Sequence, residues 1–188
     1  HHRLVGSEMC IRDSNEAGRR SVTGDPNWKE GNYDIGQGPT NGLSVARMMA
    51  HITYLSDRGM EEKFGGEKRL DAQSDFEFSV QRYLDYQGEK FINRFDANSY
   101  LKLTEALDRF DLVGENGLAN NLKNVEANTL IIAFSSDWLY TPEQNKRIAR
   151  ALQSKGKPAS YIQIDDMHGH DSFLIDLSLI HISEPTRR

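Results

Sequence analysis

The sequence predicts an α/β fold with parallel strands. Two short apolar segments with β-branched centres, 128–134 and 159–164, predict buried strands. Between them, residues 141–144 (T-P-E-Q) supply an N-cap threonine, a proline at the first helical position and a glutamine three residues after the cap. We expect this helix to end near Ser154. A strand, a helix and a strand in this order form a βαβ unit, whose two strands run parallel.

Residues 41–112 predict a layer of helices before the βαβ unit, and residues 24–40, rich in Gly, Asn, Asp and Pro, predict an irregular loop. Three helical patterns run from Asn41 to Gly65-Gly66, from Asp75 to about Phe95, and from an N-cap at Asp96 or Asn98. The residues expected on the first apolar face are Val45, Met49, Ile52 and Met60, with Leu43, Ala46, Ala50 and Tyr54 beside them. Those expected on the other two faces are Phe76, Val80, Tyr83 and Leu84, then Tyr100, Leu103, Leu107 and Phe110.

The two ends of the chain are predicted to be translated sequencing-adapter DNA. Residues 4–14 (L-V-G-S-E-M-C-I-R-D-S) and 177–187 (L-S-L-I-H-I-S-E-P-T-R) can be encoded by one DNA segment read in opposite directions. Two unrelated protein termini are not expected to have this property. We therefore assign 1–14 and 177–188 to the adapter, expect them to pack poorly, and derive the fold from 15–176 alone.

Composition excludes several classes of protein. The chain of 188 residues has a net charge of −5, and the acidic excess remains after the two ends are removed. This charge argues against a general nucleic-acid or anionic-membrane binder. No apolar run approaches the ~20 residues that a membrane helix needs. The only cysteine, Cys10, lies in the predicted adapter, so disulfides are not expected and a reducing compartment is allowed.

Two residues near the ends of the predicted strands could carry out chemistry. Asp137 follows the first strand and His170 follows the second. Ligands of parallel sheets bind at the carboxyl ends of the strands, and adjacent strands would bring these two loops together. A carboxylate beside an imidazole fixes its tautomer and stabilises its protonated form, as a general base requires. The alternatives are a loop or capping role for Asp137 and a solvated loop position for His170.

A metal cluster is the second interpretation of the loop that contains His170. His168, Asp165, Asp166 and Asp171 would supply its ligands. The order H-G-H-D lacks the H-x-H-x-D spacing of a binuclear site, and no cysteine or distant histidine completes a coordination sphere. No metal is therefore predicted. His51, within an amphipathic helix, is interpreted as a packed or rim histidine.

Several motifs closely resemble those of homoserine O-acetyltransferases, which are α/β-hydrolase-fold acyltransferases. The motifs are N-E-A-G-R-R-S-V (15–22), G-L-S-V-A-R-M-M-A-H-I-T-Y-L-S-D (42–57), L-D-Y-Q-G-E-K-F (84–91), R-F-D-A-N-S-Y-L (94–101), S-S-D-W-L-Y-T-P-E-Q (135–144) and G-H-D-S-F-L (169–174). The resemblance covers essentially all of 15–176, in order. It implies the C-terminal part of an α/β-hydrolase fold, with a helical lid region and connectors at 15–127 and a core segment at 128–176.

The resemblance also implies roles for single residues. The family's triad follows the order Ser, Asp, His, which makes Asp137 the orienting carboxylate and His170 the general base. Arg19 aligns with the guanidinium that holds the homoserine carboxylate, and Asp171 with the acidic group that meets the substrate ammonium. The alternatives are a surface arginine and a helix cap. The nucleophile belongs to a G-x-S-x-G elbow, and this chain has none. Ser44, in G-L-S-V-A, opens a lid helix instead of following a strand.

The function implied is transfer of an acetyl group from acetyl-CoA to L-homoserine, early in methionine biosynthesis, by a ping-pong mechanism without a bound cofactor. The parent protein is expected to be a cytoplasmic homodimer that associates through the lid. This chain, without the nucleophile, is expected to be inactive. Three alternatives are a homoserine O-succinyltransferase, an esterase or other hydrolase of the same fold, and a non-enzymatic helical interaction module formed by 41–112.

Overall fold

The computed structural model describes residues 7–65 and 78–175. Among these residues the helices are α1 (Ser7–Thr23), α2 (Thr40–Tyr54), α3 (Asp57–Phe64), α4 (Ser79–Ile92), α5 (Ala97–Arg109), α6 (Leu118–Asn121), α7 (Pro142–Ser154) and α8 (Ser172–Ile175). The strands are β1 (Thr129–Phe134) and β2 (Ala159–Ile164), and 3-10 turns occur at Lys29–Gly31 and Gly169–Asp171. None of the described helices is long and apolar enough to cross a membrane.

The chain divides into two compact units, His1–Thr53 with Lys63–Leu112 and Tyr54–Glu62 with Val113–Arg188. The first unit is helical. Its buried core is small and consists of Val22, Leu43, Ala46 and Ala97, against which Trp28, Tyr33, Phe91, Ile92, Tyr100 and Leu101 pack. Helices α1 and α2 approach closely because a Cβ atom at Gly42 would overlap the carbonyl oxygen of Ser21.

The predicted helices of the first unit are present, but one of them is divided. The pattern that begins at Asn41 forms two helices, since α2 ends at Tyr54 and α3 begins at Asp57. Helix α5 begins after Asp96, whose carboxylate accepts a hydrogen bond from the backbone N–H of Ser99 at 2.8 Å. The N-cap is therefore Asp96 and not Asn98, the other position that the sequence allowed. The start of the pattern at Asp75 lies outside the described residues, and α4 begins at Ser79.

The predicted apolar faces are partly wrong. On α2, Val45 and Ile52 are exposed, whereas Leu43 and Ala46, which were expected beside that face, are buried. The small face of α2, around Gly42, is the one that contacts α1, because only short side chains allow the two backbones to come that close. Of the stripe predicted for α5, Tyr100 packs against the core of the first unit, but Leu103, Leu107 and Phe110 are all more than half exposed. Phe76 lies outside the described residues.

The second unit contains the predicted βαβ arrangement. Strands β1 and β2 are parallel, with Thr129 opposite Ala159 and Phe134 opposite Ile164, and α7 packs against both. Both strands match the predicted segments, and α7 begins at Pro142 with the side chain of Gln144 accepting from the N–H of Thr141 at 3.2 Å. The expectation of fully buried strands is wrong for the described part, in which only Ala133 and Phe134 of β1 are buried. The sheet described has two strands, which leaves much of their surface uncovered.

Part of the predicted adapter is helical. Helix α1 begins at Ser7, so residues 7–14 form its first part and residues 15–23 continue it. Among residues 11–23 of α1, for which burial is described, the buried ones are Gly18 and Val22, and both follow residue 14. The adapter prediction for 177–188, and for residues 1–6, falls outside the described residues.

Candidate active site

The loops that follow β1 and β2 meet at the carboxyl ends of the two strands. Asp137 lies three residues after β1 and His170 six residues after β2. Because the strands are parallel and their last residues, Phe134 and Ile164, are in register, both loops leave the sheet at the same edge. His170 Nδ1 lies 2.8 Å from Asp137 Oδ2, which is hydrogen-bonding distance. The structure therefore brings together the two residues that the sequence proposed as a catalytic pair.

The carboxylate of Asp137 is held rigidly. Its side chain is 5% exposed, and its second oxygen, Oδ1, accepts hydrogen bonds from the backbone N–H groups of Leu139 at 3.0 Å and Tyr140 at 2.9 Å. A carboxylate can only accept, so Nδ1 of His170 carries the proton in this pair. The lone pair of Nε2 then remains available. This is the tautomer that a general base needs.

Three aromatic rings surround the imidazole of His170. The ring centroids of Tyr140, Phe173 and Tyr54 lie 4.8, 5.5 and 5.9 Å from that of His170. Burial raises the pKa of the Tyr140 hydroxyl, and the nearby Tyr54 and Asp137 raise it further. Tyr140 therefore stays protonated near neutral pH. Tyr54 belongs to the motif at 42–57, but nothing in that motif indicated that it would lie near His170, which is far from it along the chain.

A cavity of about 580 Å³ opens beside the pair. It is lined by Ile132, Ala133, Phe134, Asp137, Tyr140, Asn145, His170 and Phe173. Its wall is mainly apolar, with a few polar groups that converge near His170, which is typical of a small-molecule site. The cavity lies along β1, so residues of this strand and the imidazole face the same space.

The loop that contains His170 does not form the alternative metal cluster. Nδ1 of His168 lies 3.0 Å from Asp166 Oδ1, which also accepts from the hydroxyl of Ser172 at 2.6 Å. Burial by itself raises the pKa of Asp166, but the hydrogen bonds from Ser172 and His168 outweigh it and lower the pKa. Asp165 instead accepts from Ser135 at 2.6 Å. In the described ranges, no group of three or more His, Cys, Asp or Glu side chains could hold a metal ion.

Arg19, the predicted carboxylate-binding residue, belongs to the first unit and pairs with two carboxylates of its own chain. Its Nη1 lies 2.7 Å from Asp108 Oδ2, and its Nη2 lies 3.0 Å from Glu16 Oε2. Burial by itself lowers the pKa of Arg19, but the hydrogen bonds to Asp108 and Glu16 outweigh it and raise the pKa. Asp108 also accepts from the side chain of Asn15 at 2.8 Å, so it holds the buried side of the guanidinium. The sequence motifs did not identify Asp108.

The structure also places three other residues that the sequence analysis discussed: Asp171, Ser44 and His51. Asp171 directly follows His170 in the 3-10 turn of the second unit and is partly buried. Ser44 lies on α2 of the first unit, where its hydroxyl faces α4: a Cβ atom at Gly88 would overlap it. It follows no strand, as expected from the sequence. His51, interpreted as packed or at a rim, is 7% exposed and is packed, with Nδ1 3.3 Å from the hydroxyl of Tyr83.

A parallel βαβ unit with an Asp–His pair at its carboxyl edge defines the class of the second unit, the C-terminal part of an α/β-hydrolase fold. Solved structures confirm this fold. The chain is similar to homoserine O-acetyltransferase from Bacillus anthracis (TM-score 0.77, 24% identity, 94% of this chain and 47% of that one). It is also similar to esterase E22 (TM-score 0.75, 22% identity, 93% of this chain and 49% of that one).

Sequence comparison finds relatives that are named as homoserine O-acyltransferases. The chain is 51% identical over 168 residues to homoserine O-acetyltransferase of Methanohalobium evestigatum, covering 86% of this chain and 34% of the relative. It is 48% identical over 177 residues to homoserine O-succinyltransferase of Bordetella petrii, covering 89% and 42%. No protein-family model matches. The chain is therefore similar to part of the homoserine O-acyltransferases, and it spans between about a third and less than half of the length of these two relatives.

Proposed function

We propose that the longer protein to which this chain belongs transfers an acetyl group from acetyl-CoA to the hydroxyl of L-homoserine. The observation that carries the proposal is the hydrogen bond of 2.8 Å between His170 Nδ1 and the buried Asp137. It fixes the imidazole in the tautomer that can accept a proton at Nε2. The sequence identity to named homoserine O-acetyltransferases supports the choice of substrates.

The mechanism has two half-reactions that share one base. In the first, His170 Nε2 takes the proton of a serine hydroxyl supplied by the rest of the protein, and the serine oxygen attacks the thioester carbonyl carbon. The carbon–sulfur bond breaks, and the thiolate of CoA takes the proton from the imidazolium. In the second, His170 takes the proton of the homoserine hydroxyl, which attacks the acyl-serine ester, and the leaving serine oxygen recovers that proton. Asp137 stabilises the imidazolium in both.

Arg19 and Asp171 are proposed to recognise the amino acid. The Nε and Nη2 edge of Arg19 has the planar geometry that binds a carboxylate through two hydrogen bonds. In this structure Glu16 occupies that edge, with Oε2 at 3.3 and 3.0 Å. Glu16 is half exposed, so a substrate carboxylate can displace it at little cost. The negative charge of Asp171, beside the base, suits the substrate ammonium.

The setting of the parent enzyme is proposed from the same family. We place it early in methionine biosynthesis, in the cytoplasm, as a homodimer that associates through the lid, with no metal or bound cofactor. Two acyl donors are found among the named relatives, acetyl and succinyl. Acetyl-CoA is the proposed donor, because the relatives at 51% and 49% identity are both named homoserine O-acetyltransferase.

A chimaera tests the function. Residues 15–176 of this chain replace the matching segment of the Methanohalobium evestigatum relative, and thiol release from acetyl-CoA and formation of O-acetylhomoserine are measured together. We expect homoserine-dependent release of CoA. Asp137→Asn and His170→Ala should each lower kcat by about three orders of magnitude or more, as triad substitutions do. Lys146→Ala, on the exposed side of α7, is the control and should have no effect.

Other outcomes identify the alternatives. Succinyl-CoA used in preference to acetyl-CoA would make the enzyme a succinyltransferase. Release of CoA with water as the only acceptor would indicate a hydrolase. A soluble, folded chimaera whose transfer activity is unchanged by His170→Ala would contradict the assignment of the base.

A further inference from the structure

Gly169, the residue before His170, lies in a confined backbone environment. It is buried and has φ of +72°, a conformation that glycine adopts readily and other residues rarely. A Cβ atom at this position would come within 2.6 Å of the backbone nitrogen of Ser56 and 2.7 Å of the carbonyl oxygen of Tyr54. The backbone at residues 54–56 therefore limits where Gly169 can lie, and with it the start of the His170 side chain.

Two serine hydroxyls hold the backbone polar groups of Gly169. Its N–H donates to Ser136 Oγ at 2.9 Å, and its carbonyl oxygen accepts from Ser172 Oγ at 2.7 Å. Ser172 is fully buried, and its hydroxyl also lies 2.6 Å from Asp166 Oδ1. A hydroxyl has one hydrogen, so Ser172 shares it between these two acceptors. The peptide groups on both sides of Gly169 are thus fixed from opposite directions.

Ser136 differs from Ser172 because it comes from the other loop. It directly precedes Asp137, as Gly169 directly precedes His170. The bond from Gly169 to Ser136 therefore runs beside the bond from His170 to Asp137, and both join the same two loops. Two parallel connections constrain the distance and the angle between the loops, which one connection alone does not.

We propose that Ser136 is a positioning residue that sets the orientation of His170 toward Asp137 and toward the reacting hydroxyl groups. This inference rests on the proposed function, since it assigns Ser136 a part in the same acyl transfer. Without the hydroxyl, the buried N–H of Gly169 loses its acceptor, and the loop shifts to find another. A displacement of about 1 Å at the base is enough to lower turnover by about a hundredfold.

Ser135 provides a matched control. It belongs to the same loop, is also a serine, and also joins the second loop, through a hydrogen bond to Asp165 at 2.6 Å and one from the N–H of Asp166 at 3.1 Å. Its contacts lie four or more residues before His170. A purely structural role for serines in this loop predicts that Ser135→Ala and Ser136→Ala have the same effect.

The experiment uses the chimaera described above and compares Ser136→Ala, Ser136→Thr and Ser135→Ala. We expect Ser136→Ala to lower kcat by about ten- to a hundredfold with little change in the KM for homoserine. Ser136→Thr, which keeps the hydroxyl, should recover most of the activity, and Ser135→Ala should retain it. Combined with His170→Ala, Ser136→Ala should cause no further loss, because its effect passes through the imidazole.

Each result decides the inference. Wild-type kcat in Ser136→Ala, or the same loss in Ser135→Ala, would overturn it, as would a full additional loss in the His170→Ala background. If Ser136→Ala is not recovered folded, Ser136→Cys carries the comparison, since a thiol of similar size accepts hydrogen bonds weakly. An unsubstituted chimaera without any transfer activity would count against the proposed function, whereas an active chimaera unaffected at Ser136 counts only against the positioning role.

Discussion

At the scale of single residues, the Asp137–His170 pair depends on neighbours that carry no catalytic chemistry. The backbone N–H groups of Leu139 and Tyr140 hold one carboxylate oxygen, and the imidazole holds the other. The carboxylate therefore cannot rotate without breaking several hydrogen bonds at once. Folding therefore orients the two side chains before any substrate binds, so no further free energy is needed to orient them.

Gly169→Ala should separate steric fit from backbone strain. A side chain at positive φ costs roughly 1 kcal/mol by itself, and at Gly169 it would also overlap the backbone of Tyr54 and Ser56. Gly156 is the matched control, since its φ is +69° and no atom lies within 4 Å of a Cβ placed there. In the chimaera, both alanine variants should unfold at lower temperature, but only Gly169→Ala should lose most of its kcat. Similar kcat values in the two variants would contradict this account.

Arg19 and Glu16 should have opposite effects on substrate binding. Arg19→Ala removes the guanidinium and should raise the KM for homoserine, with a smaller effect on kcat, because the carboxylate is held equally in the ground and transition states. Glu16→Gln weakens the competing internal ion pair and should lower that KM by a few-fold. Lys102→Ala, which removes an 83% exposed cation that pairs with Glu105 and not with Glu16, is the control. A KM that rises in Glu16→Gln would show that Glu16 supports binding.

At the scale of secondary-structure elements, the short segments with strong local signals were predicted well. β2 has the predicted bounds, β1 begins one residue later than predicted, and α7 starts where Pro142 and Gln144 indicate. The faces of the long helices were predicted less well. Apolar periodicity shows that a helix has an apolar side, but α2 has apolar residues around most of its circumference. Which side is buried was decided by close contact at Gly42, a tertiary effect that local sequence does not encode.

His51 should make the packing of α2 against α4 sensitive to acid. Burial, together with the smaller effect of the positive charges of Arg47 and Lys63, lowers the pKa of His51 to about 4. In the unfolded chain the imidazole of His51 binds a proton near pH 6.5. Between pH 6.5 and 4 the unfolded chain therefore holds more protons than the folded chain, and the free energy of unfolding falls as the pH falls. The loss amounts to a few kcal/mol at most. The melting temperature of the chimaera should decline over this range, and His51→Gln should reduce the decline. An equal decline in both would exclude His51 as its cause.

At the scale of the whole molecule, sequence analysis located the Asp137–His170 pair but not the residues around it. Asp137 and His170 follow strands at the expected edge, and the parallel topology requires those loops to be neighbours. Tyr54 and Ser56 reach the site from a segment about 115 residues earlier, and Asp108 reaches Arg19 from another helix. Such contacts depend on how helices pack, for which a single sequence provides no local pattern.

The 188-residue chain alone should be poorly soluble and inactive as an acyltransferase. In the part of the chain that the structure describes, β1 pairs only with β2, and the second unit exposes a group of large apolar side chains. These are Leu130, Trp138, Tyr140, Ile162, Phe173, Leu174 and Ile175. An open strand edge beside exposed apolar surface promotes aggregation, and the sequence contains no G-x-S-x-G elbow to carry the acyl group.

Two measurements check these expectations. The soluble fraction of the expressed chain should be low, and its transfer of acetyl from acetyl-CoA to homoserine should be undetectable under conditions in which the chimaera is active. A shortened chain of residues 15–176 should be no less stable than the full chain, because it keeps Gly18 and Val22, the buried residues in the part of α1 (11–23) whose burial is described. A clear loss of stability on removing residues 1–14 would show that this segment contributes to the fold, contrary to its assignment as translated adapter. Measurable transfer by the isolated chain would require a nucleophile within it, and Ser44, packed against α4, would then need to be reconsidered.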